Sequence, residues 1–198
     1  LALNQDNEKE EHFSIVAKTQ ISLRLFDKAI NTYIMGRSKF DNKLLFSDEL
    51  SQLFIITGDY QNGITELLNL LEVTKNTPLI QGRISALKTN PKAEKFIETT
   101  LKEKSSTGNT EILRIYGWFL REIKKYEQAL EVYKQLDIAI TKDGREVYEF
   151  GVISSKDGQY DIAIKAFEYI IDKGKSSPYS ANSLFEYSRT LENKHLSG

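Results

Sequence analysis

The sequence repeats itself at a fixed interval. The octapeptide FDKAINTY begins at Phe26, YQNGITEL at Tyr60, YEQALEVY at Tyr126 and YDIAIKAF at Tyr160. Each opens on an aromatic residue and carries a small one three places on: Ala29, Gly63, Ala129 and Ala163. Four places further stand Tyr33, Leu67, Tyr133 and Phe167. The starts are offset by 60 − 26 = 34, 126 − 60 = 66 and 160 − 126 = 34, so the middle interval spans about two periods and hides one more copy. Such a period marks an array of supersecondary units. Each is too small to bury its own apolar face and must stack on its neighbours.

A second marker locates the hidden copy. A large apolar residue followed by a small one precedes each octapeptide, as Val16-Ala17, Leu50-Ser51, Tyr116-Gly117 and Phe150-Gly151. One period beyond Leu50 and Ser51 lie Ile84 and Ser85, and 117 − 85 = 32 makes this third unit two residues short. Its second helix is predicted to begin at Asn90-Pro91, with Asn as N-cap and Pro in the first turn. Ala93 and Ile97 then take the small and aromatic places. Every unit reads as two short helices. In the fifth, the first runs from Arg145 to Lys156 and stops at Asp157-Gly158; the second runs from Tyr160 to Asp172. Tyr160, Ala163, Ile164, Phe167, Ile170 and Ile171 recur at steps of three and four, an apolar stripe on one helical face. Gly117 and Gly151 are expected where the two helices of a hairpin cross, opposed by Ala129 and Ala163. A bulky side chain there would push the axes beyond the usual ~8–10 Å. The aromatic that opens each second helix is expected to pack onto the next hairpin.

These residues resemble the tetratricopeptide repeat: the Tyr116-Gly117 and Phe150-Gly151 pairs, the turn-side Tyr126 and Tyr160, Ala129 and Ala163, and Tyr133 and Phe167. The resemblance covers about residues 10–175. It implies an all-α fold, a right-handed α-solenoid of stacked antiparallel helix hairpins. The expected organisation is one repeat domain over residues 1–198, with units at about 10–43, 44–77, 78–109, 110–143 and 144–177 and a terminal helix at 178–194. Departures are visible. The family's Pro at the repeat end is absent, with Asp41, Thr141 and Lys175 near those places. Gly63 replaces the usual Ala and Gly36 also falls in a second helix. At about 0.5–1 kcal/mol each relative to Ala, they predict looser first and second units. In the terminal helix Leu184 keeps the large place but Phe185 takes the small one. Two readings stay open there: a cap on the stack, or a native chain that continues.

Composition removes several function classes. Hydrophobic residues are 40% and charged residues 28%, the balance of a folded soluble protein. Twenty-seven bases against 28 acids leave a formal charge of −1 and no field to gather nucleic acid. The absence of cysteine excludes disulfides and thiolate metal sites, and suits cytosol and periplasm equally. No apolar run approaches the roughly 18 residues of a membrane span. The chain opens Leu-Ala-Leu-Asn without Met, which reads as a processed or trimmed product. The two histidines, His12 and His195, stand near opposite ends and share no metal or catalytic centre in a linear stack. Lys173-Gly174-Lys175-Ser176 lacks the earlier Gly of a phosphate loop, Tyr169 standing there, and reads as a helix end with a polar turn. Asp6-Asn7-Glu8-Lys9-Glu10-Glu11 reads as a solvated helix start. No catalytic or cofactor-binding constellation is present in the sequence.

The resemblance also implies where binding would occur. In this family the first helices of the hairpins line a concave groove that takes an extended or helical peptide. The corresponding positions are Arg114, Trp118 and Arg121 in the fourth unit, and Arg145, Tyr148, Val152 and Ser155 in the fifth. Earlier units offer Ser14, Lys18, Asp48, Gln52 and Ile55. Trp118, the only tryptophan, is either a binding anchor or packing between hairpins. Arg114 and Arg121 either grip an acidic segment or are neutralised by Glu111 and Glu122. The Lys and Asn pair of chaperone-docking repeats is absent at the matching positions, for example Ser14/Lys18 and Arg114/Trp118. The expected function is a non-enzymatic scaffold or adaptor for another protein or peptide, with no cofactor, in a setting such as bacterial cell-envelope or secretion assembly. The alternatives are a peptide-sensing regulatory domain and the non-catalytic interaction domain of a larger enzyme.

Overall fold

The computed structural model describes residues 9–197; Asp6, Asn7 and Glu8 of the acidic stretch lie outside them. Among the described residues all regular structure is helical. The helices are α1 (Glu10–Ser22), α2 (Phe26–Lys39), α3 (Ser47–Ile56), α4 (Tyr60–Thr74), α5 (Thr77–Leu87), α6 (Pro91–Ser105), α7 (Thr110–Glu122), α8 (Tyr126–Ala139), α9 (Arg145–Lys156), α10 (Tyr160–Ile171) and α11 (Ser180–Ser197). Short polar caps start several of them. Oδ1 of Asp59, Asn76, Asn90 and Asn109 accepts backbone N–H bonds from Asn62, Leu79, Lys92 and Glu111 respectively, satisfying donors that a helix N-terminus leaves free. Within hairpins the chain turns through the left-handed region, at Gly58 and Gly158 but also at Arg24 and Lys124, the same repeat position one period earlier. The chain divides into two compact units, residues 1–100 and 101–198, with the boundary inside α6.

In the first unit α1 packs on α2 and α3 on α4, with further packing of α2 on α3 and α4 on α5. Ala17, Ala29, Ile30, Tyr33, Leu50 and Leu53 form a buried cluster that Phe26, Phe46 and Phe54 flank. The two glycines expected to loosen this half are tightly packed instead. A Cβ on Gly36 would lie 2.8 Å from the Phe46 ring and 3.1 Å from that of Phe13; one on Gly63 would lie 2.8 Å from Ile55 Cγ1. Whatever helix propensity these glycines forfeit is offset by the close approach they permit. A buried ion pair stitches this unit. The Arg37 guanidinium donates to both Glu66 oxygens at 2.6 Å, and also to the Leu45 carbonyl and the Ser47 hydroxyl. It thereby ties α2, the α2–α3 connection and α4 together.

In the second unit α7 packs on α8 and α9 on α10, while α8 also packs on α9, and α11 on α10 and α9. The expected crossings are present. A Cβ on Gly117 would meet the Tyr133 ring at 3.1 Å, and one on Gly151 would meet Phe167 at 2.8 Å. Tyr133 stacks on Phe150 of the following hairpin, with ring centroids 4.8 Å apart. Tyr126 reaches the next hairpin, its hydroxyl donating to Asp157 at 3.1 Å. Asp137 is the stitch of this unit. Its carboxylate is 1% exposed and pairs with Lys173 at 2.8 Å. It also accepts from the Gly144 N–H at 2.7 Å and the Tyr169 hydroxyl at 2.9 Å. Lys173 therefore serves packing, and Gly174–Ser176 after it is a single 3-10 turn.

Candidate functional site

Two polar contacts bridge adjacent first helices of the second unit, α7, α9 and α11. Arg114 on α7 reaches Glu146 on α9 at 2.6 Å, and Ser155 on α9 shares a 3.0 Å hydrogen bond with the buried Thr190 on α11. Trp118 is half-buried on α7. Tyr148 on α9 stacks against Tyr179 with centroids 5.3 Å apart and leans on the core ring of Phe167. Burial, then the charge of Glu186, raises the Tyr148 phenol above its ordinary pKa. Val152, half-buried, lies one turn further along α9.

The three candidate arginines all carry carboxylates of their own. Arg114 pairs with Glu146 and stands 4.0 Å from Glu111, Arg121 pairs with Glu122 at 2.9 Å, and Arg145 pairs with Glu149 at 3.0 Å. In the first unit Asp48 is engaged by Arg83 at 2.5 Å and by Gln52 at 3.0 Å. Ser14 is half-buried and Lys18 exposed on α1. Ile55 lies over Gly63, filling the space that the missing methyl leaves, and so belongs to the hairpin interior.

A cleft of about 200 Å³ opens between α9 and α11, lined by Val152, Ser155, Lys156, Glu186, Arg189 and Asn193. Lys156 is exposed and has no carboxylate partner among the described residues. Four of these residues escaped the sequence reading, although the period points to two of them: 152 + 34 = 186 and 155 + 34 = 189. Among the described residues no group of three or more His, Asp or Glu side chains is arranged to hold a metal ion, and no helix is long and apolar enough to cross a membrane.

Helix hairpins recurring at the period of the sequence make this an all-α helical-repeat chain whose pattern resembles the tetratricopeptide repeat. No family model matches the sequence, and no curated protein does. Solved structures similar to it include YrrB, a TPR protein with an unusual peptide-binding site, at 13% identity and a TM-score of 0.41 over 94% of this chain and 96% of that one. A thermophilic TPR protein of Thermus thermophilus has 12% identity and a TM-score of 0.39 over 92% and 99% of the two chains. MamA of Desulfovibrio magneticus RS-1 has 12% identity and a TM-score of 0.41 over 88% and 99%. Likeness at this level transfers neither a ligand nor a site.

Proposed function

We propose that this chain is a non-enzymatic scaffold that binds a protein or peptide segment along the α7–α9–α11 surface. The carrying observation is the composition of that surface. Its residues include a half-buried Trp118 on α7, the Tyr148–Tyr179 stack and, in the α9–α11 cleft, Val152 and the exposed Lys156. Aromatic anchors with apolar surroundings and a few polar groups are what peptide recognition uses. With Arg114, Arg121 and Arg145 already neutralised within the chain, the ligand is held by packing on the aromatics more than by charge. Its affinity therefore changes little with salt.

Trp118 is the only tryptophan, so its fluorescence reports occupancy of the surface without a label. Peptides selected by display on the intact chain are titrated while emission is followed. Trp118→Ala removes a hot-spot anchor together with the tryptophan signal; read by the fluorescence anisotropy of labelled peptides, it should weaken selected peptides by about 30-fold, some 2 kcal/mol. Lys156→Glu should discriminate against acidic peptides only. If both variants remain helical by circular dichroism and bind every selected peptide as the parent does, the surface is not the binding site.

A further inference from the structure

The terminal helix α11 presents an apolar face where the preceding first helices are covered. Leu184 and Phe185 lie one period beyond Phe150 and Gly151. In α7 and α9 the equivalent small residue is covered by its own second helix, through Tyr133 and Phe167. In α11 Leu184 is 56% exposed, Phe185 67% and Leu191 43%. At about 100° per residue, these three lie within roughly 60° of Ser188 on the helix surface. The buried Ser183 and Thr190 lie on the opposite side, toward the rest of the unit. Phe185 stands where the fourth and fifth hairpins carry Gly and the first three Ala17, Ser51 and Ser85, so a helix docking on it does not make the close approach seen at Gly117 and Gly151.

We propose that a second copy of this chain covers it, α11 against α11, antiparallel about a two-fold axis at Ser188. The small Ser188 then sits at the crossing. Phe185 and Leu191, three residues to either side, fall opposite each other in both copies. Arg189, 63% exposed at its side chain and only loosely held by Glu186 at 3.7 Å, lies at one edge of the face, about 100° from Ser188, and the exposed Glu192 lies within the face on the same side, about 40° from Ser188. In the antiparallel arrangement Arg189 and the copy's Glu192 stand about five residues of rise apart, roughly 7.5 Å. Both long side chains together span that distance, and symmetry makes the pair twice. A head-to-head contact of this kind is isologous and closes at two. The three exposed apolar side chains amount to on the order of 350 Å² per copy, under half of the ~800 Å² each partner contributes to a standard interface. The dimer is accordingly weak, with a Kd of roughly 10–100 μM.

Sedimentation velocity on the full chain, from about 5 to 300 μM, reads this directly. A monomer–dimer equilibrium is expected. Phe185→Glu should leave helicity and Tm unchanged, because the side chain is exposed, and hold the chain monomeric throughout. Glu192→Arg should weaken the dimer about tenfold. The double exchange Arg189→Glu/Glu192→Arg should restore it. A monomer at every concentration overturns the proposal and leaves the face to a partner of different sequence. A dimer indifferent to Phe185→Glu overturns it as well, and failure of the double exchange to restore association overturns the antiparallel pairing.

Discussion

Replacing Asp137 by Ala should destabilise the second unit far more than any surface change. The carboxylate is 1% exposed and is the shared acceptor for the Gly144 N–H, the Tyr169 hydroxyl and the Lys173 ammonium. Its loss leaves the buried Gly144 N–H without a partner, which costs about 1–3 kcal/mol. It also strands a cation whose carboxylate is gone, for which breaking a buried pair costs about 3–5 kcal/mol when the survivor stays buried. Lys173 is 18% exposed and turns toward water, so most of the second penalty is recovered. A total of about 3 kcal/mol follows. Asp137→Asn keeps an acceptor for Gly144 and should cost about half as much. The assay is urea unfolding followed by Trp118 fluorescence, since Trp118 lies in the same unit. The midpoint should fall with the slope unchanged. A cost below about 1 kcal/mol for Ala, or equal costs for Ala and Asn, would refute the assignment of Asp137 as the acceptor that holds α8, the α8–α9 connection and α10 together.

Two further substitutions test the packing, and one titration tests burial. Gly151→Ala brings a methyl to 2.8 Å from the fully buried Phe167 ring and should cost a net ~1–2 kcal/mol despite Ala's better helix propensity. Gly82→Ala, in α5 with nothing within 4 Å of the new methyl, should instead stabilise by about 0.5–1 kcal/mol, and thermal unfolding shows both signs. Burial pushes the Tyr133 phenol up to about 12 against the opposing charge of Arg121. With the folded pKa above the unfolded value of 10.0, this contribution is fully present below pH 10. It is lost as pH rises from 10 through 12, by about 2–3 kcal/mol. Tyr133→Phe should flatten that part of the stability-versus-pH curve.

Packing positions were legible in the sequence because the repeat states them several times. Both bounds of α9, the start of α10 at Tyr160 and the cap at Asn90 follow from small residues, turns and the constant repeat step. What occurs once was harder to see. Arg37 and Asp137 occupy the same place in their second helices, eleven residues after Phe26 and Tyr126, where Tyr60 and Tyr160 lead to Leu71 and Ile171. A polar residue alternating with apolar ones at one repeat position was the available signal, but its partner is set by tertiary packing. The role of Gly36 was misjudged for the same reason: intrinsic propensity counts the lost methyl, and only the fold shows Phe13 and Phe46 in its place. Arg24 and Lys124 hide left-handed turns that only Gly58 and Gly158 announce. On the candidate surface, residue type marked Arg114, Arg121 and Arg145, yet their pairing with Glu146, Glu122 and Glu149 decides how much charge they offer.

The two stitches make hairpins of the same pattern non-interchangeable. Arg37 meets Glu66, with Asn69 bonded to the same carboxylate; the corresponding residues of α10 are Ala166 and Tyr169. Asp137 meets Lys173, where α4 has Val73. Were α8 to dock on α4 during folding, Asp137 would confront Glu66 with no cation at hand. Were α2 to dock on α10, Arg37 would find Ala166 and Lys173. Shuffled or domain-swapped assemblies, the characteristic error of repeat chains, are thereby penalised at the moment of docking. One position thus works as an address label, opposite in sign on two copies of the same part, and tells each hairpin which neighbour is its own.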